Sequence, residues 1–163
     1  VRTVIEEVLR QDVQVIILGK GDSSYENYFT DLARRYVGKL VTVIAFNPDL
    51  SRKIYSGADL FLMPSKSEPC GLSQMIASRY GAVPIVRETG GLYDSIKPVG
   101  NGGNGFTFAN YNAYDMLYVI REAINCYYNK EFWPQLVKRV MSVDFSWQRS
   151  AKEYEKMYGE MLK

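Results

Sequence analysis

Residues 59–86 read DLFLMPSKSEPCGLSQMIASRYGAVPIV, and this stretch decides the fold. DLFLM (59–63) is a short apolar run that predicts a strand, and a polar loop containing proline follows it. The spacing then predicts a helix that begins near Gly71 and ends at Gly81, where glycine suits a left-handed helix end. AVPIV (82–86) predicts the next strand. Two strands joined by a helix indicate a parallel pair.

The same alternation extends in both directions along the chain. Before this stretch we predict an opening helix, strands at 13–18 and 40–46, and helices at about 23–36 and 50–57. After it come the loop RETGGLYDS, a glycine-rich stretch, a last short strand and two or three closing helices. The pattern predicts an α/β fold, a doubly wound Rossmann-like parallel sheet flanked by helices, in a single domain spanning 1–163.

The composition narrows the classes of function. Twenty basic and 18 acidic residues give a net charge of +2 without a block of one sign, so no nucleic-acid or membrane partner is indicated. The sequence has no histidine, which excludes Ser-His, Cys-His and imidazole-metal chemistry within this chain. Two cysteines are too few for a disulfide framework and fit a reducing compartment.

The order of elements does not fit a whole doubly wound domain. Such a domain normally begins with a central strand and a phosphate-facing loop, whereas this chain begins with a helix. We therefore expect a fragment, whose first strand either was cut away or belongs to a longer polypeptide.

The loop after DLFLM brings together two kinds of polar group. The predicted helix start offers the unpaired backbone N–H groups of Gly71, Leu72 and Ser73, together with the positive end of the helix dipole, and both suit a phosphate. Glu68 lies just before it, and a carboxylate can accept hydrogen bonds from neighbouring sugar hydroxyls. The combination indicates a nucleotide-sugar site. The alternative is that Glu68 is an exposed loop acid and Gly71 a packing glycine.

Several motifs in order carry a resemblance to a known family. EPCGL (68–72), VRETGGLYD (86–94) and DFSW (144–147), with IYSGADLFLMPS before them and GNGFTF within 103–108, resemble the bacterial glycogen synthase and plant starch synthase family. The resemblance runs from about residue 13 to the C-terminus. It implies a retaining glycosyltransferase of the GT-B fold, of which this chain is the C-terminal, donor-binding half.

The resemblance also implies roles for individual residues. Glu68 matches the catalytic acid that contacts the donor glucose. Gly71, Leu72 and Ser73 match the turn that holds the distal phosphate through its backbone. Phe46 matches an aromatic residue that lies against adenine, although it could simply end a strand. Lys20 could approach the donor phosphates or remain solvated. Thr89, Gly90 and Gly91 are expected to form the floor of the cleft, or a plain turn.

Two further expectations concern cysteine and aromatic side chains. Cys70, within the donor-binding turn, is expected to be a buried and inert thiol rather than a thiolate tuned by the helix end. Five aromatic residues near the C-terminus are expected to pack in the core or between domains rather than to bind glucan. They are Tyr127, Tyr128, Trp133, Trp147 and Tyr154.

The resemblance implies transfer of glucose from ADP-glucose to the nonreducing end of an α-1,4-glucan, without a metal or other cofactor. Its partners would be these two substrates and the N-terminal domain of the same polypeptide, in the cytoplasm or a plastid, and the isolated fragment would be inactive. Ile76 stands where related families carry a second glutamate, which favours the glycogen synthase family. A UDP-sugar-dependent transferase and a non-catalytic nucleotide-binding module remain alternatives.

Overall fold

The structure, a computed structural model, describes residues 1–162 and contains five strands. All recorded strand pairs are parallel. One sheet holds two strands and the other holds three. They are β1 (Val15–Leu18) and β2 (Leu40–Val43), then β3 (Leu60–Met63), β4 (Val83–Arg87) and β5 (Phe106–Phe108). The predicted α/β class with parallel strands is confirmed.

Eight α-helices and one 3₁₀ turn connect or follow the strands within residues 1–162. They are α1 (Ile5–Leu9), α2 (Ser23–Arg35), α3 (Pro48–Gly57), α4 (Ser73–Tyr80), α5 (Gly90–Ser95), the 3₁₀ turn Val99–Asn101, α6 (Ala113–Tyr127), α7 (Phe132–Ser142) and α8 (Trp147–Met161). Nothing in this part of the chain forms a helix with the length and apolar character needed to cross a membrane.

Capping hydrogen bonds and a glycine in the left-handed conformation set several of these helix boundaries. Asp22, Asn47 and Asn112 each precede a helix and accept a backbone N–H of its first turn. Gly81 ends α4 in the left-handed conformation, with φ of 89°, as predicted. The helix itself begins at Ser73, two residues later than the prediction from Gly71.

The core is centred on β4, where residues 83–86 are all buried. Its neighbours β3 and β5 lie on either side, and α6 supplies a buried face that includes Met116, Ile120 and Ala123. Helix α1 and the residue before it add an apolar face, on which Val4, Ile5, Val8 and Leu9 are all buried. Burial on both sides is what a central parallel strand requires.

The two sheets are not joined by a strand pair within residues 1–162. β1 bonds only to β2, and β3 bonds only to β4, so each has one open edge. A cleft of about 790 Å³ opens beside these edges, lined by Ile17 of β1, Pro64 after β3 and Phe108 of β5. Consistent with an open edge, Ile16 on β1 is exposed even though it is apolar.

One prediction about the stretch after β4 is wrong. RETGGLYDS is not all loop, because α5 occupies Gly90–Ser95. Among the closing aromatic residues, Trp147 is 86% exposed and Tyr154 is exposed, so neither packs in the core within residues 1–162, and packing between domains stays a prediction for them. No residue of α8 is buried in the described chain, so the helix has no core partner there. Trp133 alone of the five is packed against the core cluster.

Candidate functional site

The loop that carries Glu68 lies between the end of β3 and the start of α4. Glu68 is half-buried, and the nearest recorded donor to its carboxylate is the Ser65 hydroxyl at 3.5 Å. The loop thus presents a carboxylate at the carboxyl edge of the sheet with little competition from the protein's own donors. This edge is where ligands of parallel α/β sheets bind.

Arg87, the last residue of β4, holds this loop in place. Its Nε donates to the carbonyl oxygen of Ser65 at 2.9 Å, and its guanidinium also donates to that of Lys66. A longer bond of 3.5 Å reaches Ala109 after β5, and the guanidinium lies over the ring of Tyr111. One side chain therefore fixes two loops at the same sheet edge. The role of Arg87 was not predicted, although an arginine at the end of a buried strand is a signal that the sequence contains.

Gly90 and Gly91 bring α5 into backbone contact with the Glu68 loop. The N–H of Gly91 donates to the carbonyl oxygen of Glu68 at 3.0 Å. A Cβ atom at Gly90 would collide with that same oxygen, and one at Gly91 would collide with the carbonyl oxygen of Cys70. Gly90 also has φ of 46°, which side-chain-bearing residues rarely adopt. Two adjacent glycines are needed because backbone packs directly on backbone.

The start of α4 has free backbone donors. The N–H groups of Gly71, Leu72 and Ser73 donate no recorded hydrogen bond to any residue in 1–162, and the first helical bond runs from Ile76 to Leu72 at 2.9 Å. Leu72, at the N-cap, provides no side-chain cap and is 67% exposed. The helix end therefore leaves donors and about half a unit of positive charge for an external anion.

Cys70 does not have the environment that was expected. The prediction of a buried thiol is wrong, because Cys70 is a free, exposed cysteine. Its sulfur lies 3.7 Å from the carbonyl oxygen of Gly71. The reason is that its backbone, rather than its side chain, packs against Gly91.

The other predicted donor contacts have different surroundings. Phe46 follows β2 and is 88% exposed, so its ring is available to a ligand. Lys20 is exposed in the glycine turn after β1 and lines the large cleft, whereas Glu68 does not. Thr89 precedes α5 as its N-cap, without a side-chain capping bond. The structure thus joins Glu68, 70–73 and 89–91 in one cluster and leaves Lys20 and Phe46 outside it.

The turn that carries Lys20 is held by two acidic residues, Asp22 just before α2 and Glu26 within its first turn. Glu26 accepts the N–H of Gly21 at 2.8 Å, and Asp22 accepts that of Ser24 at 2.8 Å. Hydrogen bonds from the side chain and the backbone of Ser24 hold the pKa of Asp22 below its usual range. The turn is therefore built on carboxylates, and Lys20 is its only cation. Across residues 1–162, no group of three or more Asp, Glu, Cys or His side chains is arranged to hold a metal ion.

Comparison with known proteins places this geometry in a family. Residues 2–134 match the family described as glycosyl transferases group 1. The chain is 51% identical to the glycogen synthase of Bacillus cereus (strain Q1), with 99% of this chain and 35% of that protein aligned. It is 49% identical to the glycogen synthase of Geobacillus thermodenitrificans (strain NG80-2), over 100% of this chain and 34% of the relative. The chain thus spans about a third of these relatives.

Solved structures agree on the fold. The catalytic domain of starch synthase IV from Arabidopsis thaliana, bound to ADP and acarbose, is 36% identical and superposes with a TM-score of 0.86 over 98% of this chain and 34% of its own. Sucrose-phosphate synthase from Thermosynechococcus elongatus has a TM-score of 0.68 over 99% of this chain and 42% of its own; at 19% identity it supports the fold alone. The resemblance to glycogen and starch synthases is confirmed, and the chain belongs to the glycosyl transferases group 1 family.

Proposed function

We propose that this chain is the donor-binding half of a glycogen or starch synthase. The full enzyme would transfer glucose from ADP-glucose to the nonreducing 4-hydroxyl end of an α-1,4-glucan, with retention of configuration. The observation that carries the proposal is the placement of Glu68 beside the free N–H groups at the start of α4. Family membership, the names of the relatives and the ADP in the starch synthase IV structure support the choice of substrate class.

The cluster would bind the sugar nucleotide through two kinds of contact. The N–H groups of Gly71, Leu72 and Ser73 would hold the distal phosphate, because they are unpaired and lie at the positive helix end. Glu68 would accept hydrogen bonds from hexose hydroxyls, since only the distant Ser65 hydroxyl competes for its carboxylate. Thr89–Gly91 would form the floor beneath both, because α5 packs on the loop backbone.

Phe46 and Lys20 would contribute at the nucleoside end of the donor. The exposed ring of Phe46 offers a π-face on which a base can stack. Lys20 would approach a phosphate or the ribose from its glycine turn. We propose that neither a metal nor another cofactor takes part.

Catalysis would depend on a second half of the cleft. A departing nucleoside diphosphate carries several negative charges, one of which develops as the bond to the sugar breaks, whereas one helix end supplies only about half a unit of positive charge. Additional cations and the acceptor site would come from an N-terminal domain of the same polypeptide, facing the single domain formed by 1–163. On this basis the isolated chain would be inactive, and the whole enzyme would act in the cytoplasm or, in a plant, the plastid.

The decisive experiment is glucan elongation by the full-length polypeptide with Glu68→Ala and Glu68→Gln. Both variants should lose most activity, and Glu68→Gln shows whether charge is required in addition to shape. Glu122→Ala, which removes an exposed acid on α6, is the control and should leave the rate unchanged. Near-normal elongation by Glu68→Ala would remove Glu68 from the mechanism.

The identity of the donor is tested by calorimetry of the full-length protein with ADP-glucose and UDP-glucose. We expect tighter binding of ADP-glucose. Preference for UDP-glucose would favour a related transferase, and binding of neither would favour a non-catalytic module.

A further inference from the structure

The side chain of Gln74 is completely buried in the first turn of α4, directly beneath the turn formed by 70–73. Its Nε2 lies 3.2 Å from the carbonyl oxygen of Cys70, 2.9 Å from that of Gly71 and 3.1 Å from the hydroxyl oxygen of Ser95. A glutamine with no solvent exposure is uncommon. The two hydrogens of its Nε2 are shared among three acceptors: two successive carbonyls of the proposed phosphate turn and the Ser95 hydroxyl.

The two carbonyl contacts determine where the N–H groups point. In a planar trans peptide the C=O of one residue and the N–H of the next point in opposite directions. When Cys70 and Gly71 direct their carbonyls inward to Gln74, the N–H groups of Gly71 and Leu72 are directed away from it. Those are two of the N–H groups that find no partner in residues 1–162.

We propose that Gln74 is a positioning residue that aims the Gly71 and Leu72 N–H groups at the distal phosphate of the bound nucleotide. The inference rests on the proposed function, because it assumes that this turn binds a diphosphate. It assigns the orientation of the donors to one buried amide rather than to the helix dipole alone.

Ser95 extends the arrangement to α5. Its hydroxyl donates to the carbonyl oxygen of Gly91 at 2.6 Å and accepts from Gln74, so each of its polar contacts has a consistent donor and acceptor. Gln74 therefore couples the phosphate turn to the glycine pair that packs beneath Glu68. The fit at Gly71 is close, since a Cβ atom there would lie 2.5 Å from Gln74 Oε1.

The two ends of the Gln74 amide differ in their hydrogen bonding. Gln74 Oε1 is buried and has no hydrogen-bond partner among the described residues. An unpaired buried acceptor is destabilising, so the favourable contacts of this amide are those that its nitrogen makes to the turn and to Ser95. The amide is explained by the orientation of the turn above it.

The test compares binding of ADP and AMP to the full-length protein by calorimetry. ADP carries the distal phosphate and AMP does not, so a defect in the turn should weaken ADP selectively. Gln74→Met keeps the side-chain length and removes the donor; we expect an approximately tenfold loss of ADP affinity and unchanged AMP affinity. Ser95→Ala removes the contact between Gln74 and Ser95. It should also lower the affinity for ADP relative to AMP, but by a smaller factor.

Ser78→Ala is the matched control. Its hydroxyl is equally buried on α4 but donates to the backbone oxygen of Gln74, away from the turn. It should leave the ratio of ADP to AMP affinity at the wild-type value. An unchanged ratio in both Gln74→Met and Ser95→Ala would overturn the inference. A wild-type protein that binds neither nucleotide would overturn the proposed function and this inference with it.

Discussion

The backbone N–H of Gly91 donates a 3.0 Å hydrogen bond to the carbonyl oxygen of Glu68. This bond ties the first turn of α5 to the loop of the proposed catalytic acid through main-chain atoms alone. A change of side-chain rotamer does not alter this contact. The position of Glu68 therefore depends on glycine at 90 and 91, where a Cβ atom would collide with the loop backbone.

Replacement of Gly90 by alanine should destabilise the protein by about 1–3 kcal/mol, because the new Cβ meets the Glu68 carbonyl and φ is positive. Urea denaturation measures the change. Gly159→Ala is the control: it lies within α8 with nothing near its Cβ position, and should stabilise by about 0.5–1 kcal/mol. Equal effects of the two substitutions would show that the close packing at Gly90 is unimportant.

Replacement of Arg87 by lysine should lower kcat of the full-length enzyme roughly 10- to 100-fold, since loss of the forked contacts to Ser65 and Lys66 lets the Glu68 loop shift. ADP affinity should be retained, because the phosphate turn is held by Gln74. Arg34→Lys, at an exposed ion pair on α2, should alter neither quantity. A parallel loss of ADP affinity would contradict the assignment of Arg87 to the acid loop.

Replacement of Phe46 by alanine should weaken ADP binding without lowering stability. Stacking of one base contributes about 1–3 kcal/mol, which corresponds to about a 5- to 150-fold change in affinity. Calorimetry measures the affinity and thermal unfolding checks the stability. Val37→Ala, at another highly exposed apolar residue, should change neither. Unchanged ADP binding by Phe46→Ala would exclude a base contact at this position.

The capping carboxylate of Asp22 should make stability depend on pH. Its pKa is lowered in the folded protein, so its charge stabilises the fold above the unfolded pKa of about 3.9, and this contribution is lost as the pH falls through the folded-state value. Asp22→Asn should therefore be less stable than wild type near neutral pH, with a difference that shrinks below about pH 4. Asp144→Asn should behave likewise, because hydrogen bonds from Ser146 lower the pKa of Asp144. A pH-independent difference in urea midpoints would contradict this account.

The alternation of strands and helices could be predicted from the sequence, because the apolar runs and the residues at helix ends indicate the same elements. AVPIV is apolar throughout because β4 is covered on both faces, and Gly81 ends α4 because only glycine adopts its conformation cheaply. α5 was missed because two glycines favour a loop locally, whereas contact with the Glu68 loop holds them in a helix. Here tertiary packing overrides local propensity.

The roles of the residues around Glu68 were harder to predict from the sequence. Glu68 and 70–73 are adjacent in the chain, so their proximity needed no fold. The contributions of Gln74 and Arg87 depend on contacts to residues about 20 positions away, such as Ser95 and Ser65, which sequence spacing does not disclose. The exposure of Trp147 could not be predicted either, because regular spacing identifies a helical face but not what covers it.

The open edges of β1 and β3 have a consequence for handling the protein. Each edge presents a row of backbone donors and acceptors next to apolar side chains such as Ile16, and another extended chain can complete such a row. A preparation limited to these residues would associate through intermolecular strand addition as its concentration rises. Light scattering at rising protein concentration would detect this association as an increase in particle size.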